Sequence, residues 1–203
     1  MTHIGLDFDN TIVTYDRLFH RRALAEGLIG PEVPARKKEV RDAIRLLPDG
    51  ERTWTALQGV VYGRAMPEAE AAPGVAEFLL ACRAAGVRVS VISHKTEFPA
   101  IGERYSLREA ARAWLAAQGF SDRFGVDPAD IFFVGTLEEK LARIVHQGCS
   151  HFVDDLVEVL GHPGFPPGVE RILYAPGGGA APPRALLFRS WDAIRGHFFG
   201  GLP

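Results

Sequence analysis

The sequence is poor in cysteine and in long apolar runs. Its two cysteines, Cys82 and Cys149, are far apart and form no C-x-x-C pair. This spacing argues against a disulfide scaffold or a cysteine zinc site, so both thiols are expected to be reduced and buried. No apolar run reaches the roughly 18 residues that cross a bilayer. The N-terminus also lacks the basic start and cleavage site of a signal peptide, so we expect a cytoplasmic protein with no membrane partner.

The chain also lacks an excess of charge of one sign. It has 23 Lys and Arg against 25 Asp and Glu, a net charge of -2. Without a basic field, binding to long nucleic acid is disfavoured, and an anionic ligand must be held by local groups. With 203 residues, of which 47% are hydrophobic, the chain exceeds one standard domain of about 150 residues, so one core with a smaller accessory domain is expected.

Short apolar runs alternate with segments of helical period along most of the chain. The runs predict five strands, at residues 4–8, 87–92, 131–134, 151–153 and 171–174. Helices are predicted between them, from 75 to about 82, from 107 to 118 and from 137 to 147. This alternation indicates an α/β fold with a Rossmann-like parallel sheet of about five strands and flanking helices. Beyond the last strand we predict a loop over 177–183 and a final segment over 191–199.

One long stretch breaks the alternation. Residues 16–72 contain no convincing strand, but they contain three helix-like pieces, 16–28, 35–47 and 51–64, which glycine and proline separate. We therefore predict an all-helical domain over 16–72, inserted into an α/β core formed by 1–15 and 73–203.

Polar residues follow the predicted strands where parallel sheets bind ligands, at the carboxyl ends. They are Asp7-Phe8-Asp9-Asn10-Thr11, Ser93-His94-Lys95-Thr96, Gly135-Thr136 and Asp154-Asp155. Two carboxylates about 4 Å apart repel by about 4 kcal/mol at an effective dielectric constant of 20, so a cluster requires a proton or a cation. Oxygen ligands without His or Cys favour Mg²⁺. Taken singly, each segment also fits a polar turn or a helix cap.

In their order along the chain, these segments resemble the motifs of the haloacid dehalogenase superfamily of phosphohydrolases. The first motif, Asp-x-Asp-x-Thr after a strand, matches Asp7 to Thr11, and the second, a strand ending in Ser or Thr, matches Ser93. The lysine of the third motif matches Lys140, and the acidic pair of the fourth matches Asp154-Asp155. The helical insertion lies where this family places its smaller cap domain, between motifs one and two.

The resemblance implies a role for each matching residue. Asp7 would be the nucleophile that forms an aspartyl-phosphate, and Asp9 the general acid and base. Ser93 would hydrogen-bond the phosphoryl group, and Lys140 would neutralise it, with Lys95 as a rival for that role. Mg²⁺ would be held by Asp7, Asp154, Asp155 and the backbone carbonyl of Asp9. Which of the acidic pair binds the ion directly is left open.

Because the helical insertion lies where the family has its cap domain, we predict that it is a lid that supplies substrate contacts. We expect a small phosphorylated metabolite, such as a sugar phosphate or a nucleotide, rather than a phosphoprotein. In the insertion the candidate contacts are Arg17, His20, Arg21, Arg22, Arg52, Trp54 and Tyr62. In the core they are Thr11, His94 and Lys95.

The motifs favour a Mg²⁺-dependent phosphatase but leave alternatives open. Dehalogenases of the superfamily lack the second acid, so Asp9 favours phosphate chemistry, whereas a phosphomutase or phosphotransferase keeps both acids. A non-catalytic receiver-like phosphorylation switch and a nucleic-acid end phosphatase are further alternatives. The sequence does not indicate the substrate's identity or the oligomeric state.

Overall fold

The computed structural model describes residues 2–200, which fold into two compact units. The first unit holds Ala71–Lys95 together with the described parts of Met1–Val13 and Gln118–Pro203. The second unit holds Thr14–Glu70 and Thr96–Ala117. The chain therefore leaves the first unit twice, once after the first strand and once after the strand that carries Ser93.

The first unit is built on a parallel sheet of six strands. The strands of the structure are β1 His3–Leu6, β2 Val13–Thr14, β3 Glu70–Ala71, β4 Arg88–His94, β5 Ile131–Val134, β6 His151–Asp154, β7 Glu170–Tyr174 and β8 Ala185–Phe188. The main sheet has the order β5-β4-β1-β6-β7-β8, and β2 and β3 form a separate two-stranded sheet. All neighbouring strands of the main sheet are parallel. The predicted α/β class is confirmed.

Six helices of the structure follow predicted helical segments closely, a seventh lies in the final segment over 191–199, and the short helix Val157–Leu160 was not predicted. The helices are α1 Asp16–Ala25, α2 Lys37–Arg45, α3 Gly50–Tyr62, α4 Val75–Ala84, α5 Leu107–Ala117, α6 Leu137–His146, α7 Val157–Leu160 and α8 Trp191–Phe199. Two short 3₁₀ turns, Met66–Glu68 and Pro128–Asp130, complete the set. In the first unit, α6 and α7 bury Leu141, Ile144 and Leu160 in one apolar cluster with Phe152 of β6.

The two-residue strands β2 and β3 were not predicted from the sequence, and β3 lies within residues 16–72, where no strand was expected. The sixth strand of the main sheet, β8, was not predicted either. It lies at the edge of the sheet and pairs only with β7 among the described strands. Its four residues, Ala185 to Phe188, include no β-branched side chain and are largely half-buried. Its local sequence therefore predicts a strand only weakly. Hydrogen bonding to β7 supplies the stabilisation that the side chains do not.

The second unit contains the three helices of the predicted insertion and, in addition, residues 96–117, which the sequence analysis assigned to the α/β core. Its interior is aromatic: Phe19 stacks on Trp54 with ring centroids 4.7 Å apart. In α5, Trp114 is buried and donates an indole hydrogen bond of 3.0 Å to the carbonyl of Ala69. This contact within the unit explains why α5 clusters with the insertion, although it follows β4 in sequence.

Close packing in the sheet centre requires glycine at position 5. A Cβ atom on Gly5 would lie 2.5 Å from the ring of Phe152 on the neighbouring strand β6. The two thiols are free and buried, and burial raises the pKa of Cys82 to about 12 and that of Cys149 to about 11. Within residues 2–200, no helix is long and apolar enough to cross a membrane.

Candidate active site

The carboxyl ends of three adjacent central strands carry the motif residues. In the sheet, β1 lies between β4 and β6, and from β1 the chain first adds β4 and β5 on one side and then β6 to β8 on the other. The strand order therefore reverses between β1 and β6, which is where open α/β sheets form a binding crevice. Asp7 directly follows β1 and Asp154 ends β6, so both acids border this crevice.

Lys140 joins these two acids. Its ammonium donates hydrogen bonds of 2.6 Å to Asp7 Oδ1 and of 2.6 Å to Asp154 Oδ2. All three side chains are buried, with 7% or less of each exposed. Because a buried charge must be paired to be tolerated, the lysine and the two carboxylates form one electrostatic unit.

The pKa values of this group respond to burial and to mutual charge. Burial raises the pKa of Asp7 to about 7, and the nearby charge of Asp154 adds to the rise, while Lys140 opposes it. Burial by itself would lower the pKa of Lys140, but the charges and hydrogen bonds of Asp154 and Asp7 together raise it well above its usual range. Lys140 is therefore a fixed positive charge at this site.

Local structure fixes the position of Lys140 on α6. Thr136 caps this helix, its hydroxyl accepting a 3.1 Å hydrogen bond from the backbone N–H of Glu139, and the Glu139 carboxylate accepts one of 2.7 Å from Gly135 N. This arrangement resembles a capping box, although the glutamate accepts from the residue before the N-cap, and it sets where the helix starts. Lys140 lies one turn into the helix, and its ammonium is 5.3 Å from the centroid of the Phe152 ring.

Lys95 has a different partner. Its ammonium lies 2.9 Å from each carboxylate oxygen of Asp9. The two lysines that competed for one role in the sequence analysis therefore contact separate acids, Lys140 with Asp7 and Asp154, and Lys95 with Asp9.

The other sequence-predicted residues of the first unit lie on the same strands or in their loops. Ser93 is buried at the second-last position of β4, and His94 is exposed at its end. Thr11 is fully buried, and among the described residues its hydroxyl oxygen has no hydrogen-bond partner. Asp154 accepts a hydrogen bond of 2.9 Å from Leu156 N through Oδ1, which closes an Asx turn rather than capping α7.

The acidic group at the strand ends fits a metal ion. Carboxylate oxygens of Asp7, Asp154 and Asp155 lie within 4.8 Å of one another. An all-oxygen set of this kind suits a hard divalent cation such as Mg²⁺. Asp7 and Asp154 are buried and Asp155 is half-buried, so the set is also partly open to solvent. Asp9 was predicted as a fourth ligand through its backbone carbonyl, and its carboxylate contacts Lys95.

The predicted substrate contacts of the insertion belong to the second unit. Arg17 and Arg21 lie 3.6 Å from carboxylate oxygens of Glu70 and Glu68, Arg22 also pairs with Glu68, and Arg52 is exposed. His20 bonds the carbonyl of Val33 at 2.9 Å. Trp54 is buried against Phe19, and Tyr62 packs edge-on against Phe19 and Tyr15. These aromatic residues thus contribute to the interior of their unit.

One residue that hydrogen-bonds the loop of the first motif was not predicted from the sequence. Trp191, at the start of α8, is fully buried and donates a 3.0 Å hydrogen bond to the carbonyl of Thr11, which lies 180 positions earlier. The ring also packs against Phe78, with centroids 4.9 Å apart. No local pattern predicts this contact, because only the fold brings α8 to the loop after β1.

Comparison with known proteins gives a match in structure. No protein-family model and no curated protein sequence matches the chain. A haloacid dehalogenase (HAD) family hydrolase of Deinococcus radiodurans R1, solved with phosphate and sodium bound, has a TM-score of 0.63 and 18% identity, covering 98% of this chain and 96% of its own.

Two further similar structures differ in their chemistry. D,D-heptose 1,7-bisphosphate phosphatase of Burkholderia thailandensis has a TM-score of 0.55 and 13% identity, over 98% of this chain and 99% of its own. A dehalogenase has a TM-score of 0.56 and 15% identity, over 96% and 95%. Together with the six-stranded parallel sheet and the strand-end positions of the first, second and fourth motifs, these similarities identify the architecture: this chain has the fold of the haloacid dehalogenase superfamily of hydrolases.

Proposed function

We propose that this protein is a Mg²⁺-dependent phosphatase that hydrolyses a small phosphorylated metabolite through an aspartyl-phosphate. The observation that carries the proposal is the buried unit of Asp7, Lys140 and Asp154, with Asp155 within 4.8 Å of both acids. This arrangement combines a carboxylate nucleophile, a fixed cation and a set of metal ligands at the switch point of the sheet.

In the proposed reaction, a carboxylate oxygen of Asp7 attacks phosphorus while the bond from phosphorus to the ester oxygen breaks. Asp9 gives its proton to the departing oxygen, so the alcohol leaves neutral. Asp9 then takes a proton from water as the water oxygen attacks phosphorus, and the bond to Asp7 breaks to release inorganic phosphate. Splitting one displacement into two steps lowers the barrier of each.

The remaining residues hold charge and orientation. Lys140 neutralises Asp7 and the equatorial oxygens of the phosphoryl group, and the Ser93 hydroxyl donates a hydrogen bond to one of these oxygens. Asp7, Asp154, Asp155 and the Asp9 carbonyl would hold Mg²⁺. When bound, Mg²⁺ supplies positive charge that offsets the charge of the phosphoryl group.

The second carboxylate favours phosphate over halide chemistry. A halide leaves without a proton, whereas an alkoxide requires one, and Asp9 lies two residues after Asp7 at the same edge of the sheet. The dehalogenase among the similar structures shares the fold, so fold alone does not decide between the two reactions.

The test is turnover of a panel of phosphorylated metabolites, with Mg²⁺ or with a chelator. We expect phosphate release that requires Mg²⁺ and is abolished in Asp7→Asn. Rapid-quench mass spectrometry should detect a phosphorylated peptide that contains Asp7 and is cleaved by hydroxylamine. Turnover that survives Asp7→Asn would exclude this nucleophile, and a stable phosphoprotein without turnover would indicate a receiver-like switch. Product transfer to an added alcohol acceptor would indicate a phosphotransferase.

Substrate selectivity is proposed to come from exposed basic residues of the second unit. Arg52 is the sharpest probe because it is exposed, whereas Arg17 and Arg21 are near glutamates. We expect Arg52→Met to raise KM for the best substrate with little change in kcat. An unchanged KM would remove Arg52 from the substrate contacts.

A further inference from the structure

Two buried lysines pair with three of the four acids of the candidate site. Lys140 is bound to Asp7 and Asp154, and Lys95 is bound to Asp9. Each lysine lies within hydrogen-bond distance of its own carboxylates, so the two lysines do not compete for the same acid. The proposed reaction uses Lys140 but gives no role to Lys95.

Lys95 is held firmly where it meets Asp9. It directly follows β4, and its backbone N–H donates a 2.9 Å hydrogen bond to the carbonyl of Val134 at the end of β5. Only 3% of its side chain is exposed, and its ammonium lies 5.3 Å from the centroid of the buried Phe8 ring. A lysine that is held by a backbone hydrogen bond and buried in this way has little freedom to turn its ammonium toward solvent.

Asp9 sits on a more exposed and less regular segment. Its side chain is 24% exposed, it forms an isolated bridge with Val13, and Asn10, which follows it, has a φ of 60°. A carboxylate on such a turn would rotate among several orientations if nothing fixed it. The ammonium of Lys95 is 2.9 Å from both of its oxygens, which fixes the plane of the group.

We propose that Lys95 is a positioning residue: it orients the Asp9 carboxylate so that one oxygen can exchange a proton with the leaving oxygen and then with water. The proposal rests on the proposed function of Asp9. Catalytic groups must be held close to the productive geometry, and the residues that lock them act without touching the substrate. Lys95 thus acts through Asp9, whereas Lys140 acts on the phosphoryl group.

The first test is a double-mutant cycle of Lys95→Met and Asp9→Asn, read as kcat/KM. A positioned general acid contributes about 10²- to 10⁴-fold, so we expect Lys95→Met to lose about tenfold or more. The double variant should be as slow as Asp9→Asn alone, because Lys95 has nothing left to position. Losses that multiply would show that Lys95 contacts the substrate itself and would overturn the proposal. Lys38→Met, an exposed lysine of α2, is the matched control.

The second test separates orientation of the acid from a general loss of structure. The p-nitrophenolate ion leaves readily without a proton, whereas the alkoxide of glycerol phosphate does not. Lys95→Met should therefore lower kcat/KM more for glycerol phosphate than for p-nitrophenyl phosphate, since kcat/KM reports steps up to departure of the leaving group. An equal loss on both esters would contradict the assignment.

A third measurement does not depend on activity. The unfolding midpoints of wild type, both single variants and the double variant, measured in a chelator, should be non-additive because the two side chains are in contact. Additive shifts would overturn the proposed pairing. If wild type hydrolyses neither ester but the shifts are non-additive, the proposed function fails while the Lys95–Asp9 contact stands.

Discussion

The ammonium of Lys140 lies 2.6 Å from the carboxylate of Asp7, although 133 positions separate the two residues in the sequence. The same ammonium bonds Asp154, so a single cation connects the first and the last motif. This relationship places three charged groups in a nearly solvent-free space, where removing any one of them leaves the others uncompensated. Several measurable properties of the protein depend on it.

Replacing Lys140 by methionine is expected to destabilise the metal-free protein by about 3–5 kcal/mol, because two buried carboxylates lose their cation. Denaturant unfolding in a chelator measures this loss. Adding Mg²⁺ should raise the unfolding midpoint of Lys140→Met more than that of wild type, since an ion between the acids replaces part of the missing charge. Equal Mg²⁺ shifts in the two proteins would contradict this account.

The pKa of Asp7 predicts how stability depends on pH without metal. Folding raises this pKa from 3.8 to about 7. The stabilisation from the protonated carboxyl is therefore complete below pH 3.8 and is lost as the pH rises through about 7. Asp7→Asn lacks this titration, so the melting temperature of wild type relative to the variant should fall between about pH 4 and pH 7 and level off above that. Parallel melting curves across this range would show that Asp7 does not titrate there.

Mg²⁺ affinity can show which member of the acidic pair, Asp154 or Asp155, contacts the ion. We expect Asp154→Asn to weaken Mg²⁺ binding by about tenfold or more, and Asp155→Asn to do the same if both carboxylates contact the ion. Isothermal titration with Mg²⁺ measures each affinity, and Glu158→Gln, an exposed acid in the next helix, is the control. Unchanged affinity in Asp154→Asn would remove this residue from the metal site.

Trp191 supports the loop of the first motif from the other end of the chain. Trp191→Phe keeps the aromatic packing but leaves the buried carbonyl of Thr11 without its indole donor. We expect a loss of about 1–3 kcal/mol in the free energy of unfolding. Denaturant titration measures it, and a change below the error of the method would show that water replaces the indole.

Gly5 tests the packing of the central strands. Gly5→Ala would bring a methyl group to 2.5 Å from the Phe152 ring, so the neighbouring strand must shift. We expect destabilisation of about 1–3 kcal/mol from overpacking. The comparison is Gly196→Ala on α8, where a Cβ meets no atom within 4 Å and the substitution should be neutral or stabilising.

Much of the fold could be predicted because its signals are local. The strand of Val91 and Ile92 and the helix of Leu141 carry their own apolar patterns, and the glycines that follow helices mark where these end. β8 escaped prediction because an edge strand without β-branched residues depends on its neighbour. The membership of α5 in the second unit was not predicted for a related reason. The contact of Trp114 with Ala69 cannot be predicted from the α5 sequence alone.

The motifs predict which chemical groups lie at the candidate site. The order of Asp7, Asp9, Ser93, Lys140, Asp154 and Asp155, with all but Lys140 at or just after a strand, predicted carboxylates, a hydroxyl and a lysine at one sheet edge. Which of these groups pair depends on the folded chain. The motif order favoured Lys140 for the third-motif role and left Lys95 as a rival, because spacing along the chain does not encode distance across a sheet. The strand order and the start of α6 fix those distances, giving Lys140 to Asp7 and Asp154 and Lys95 to Asp9.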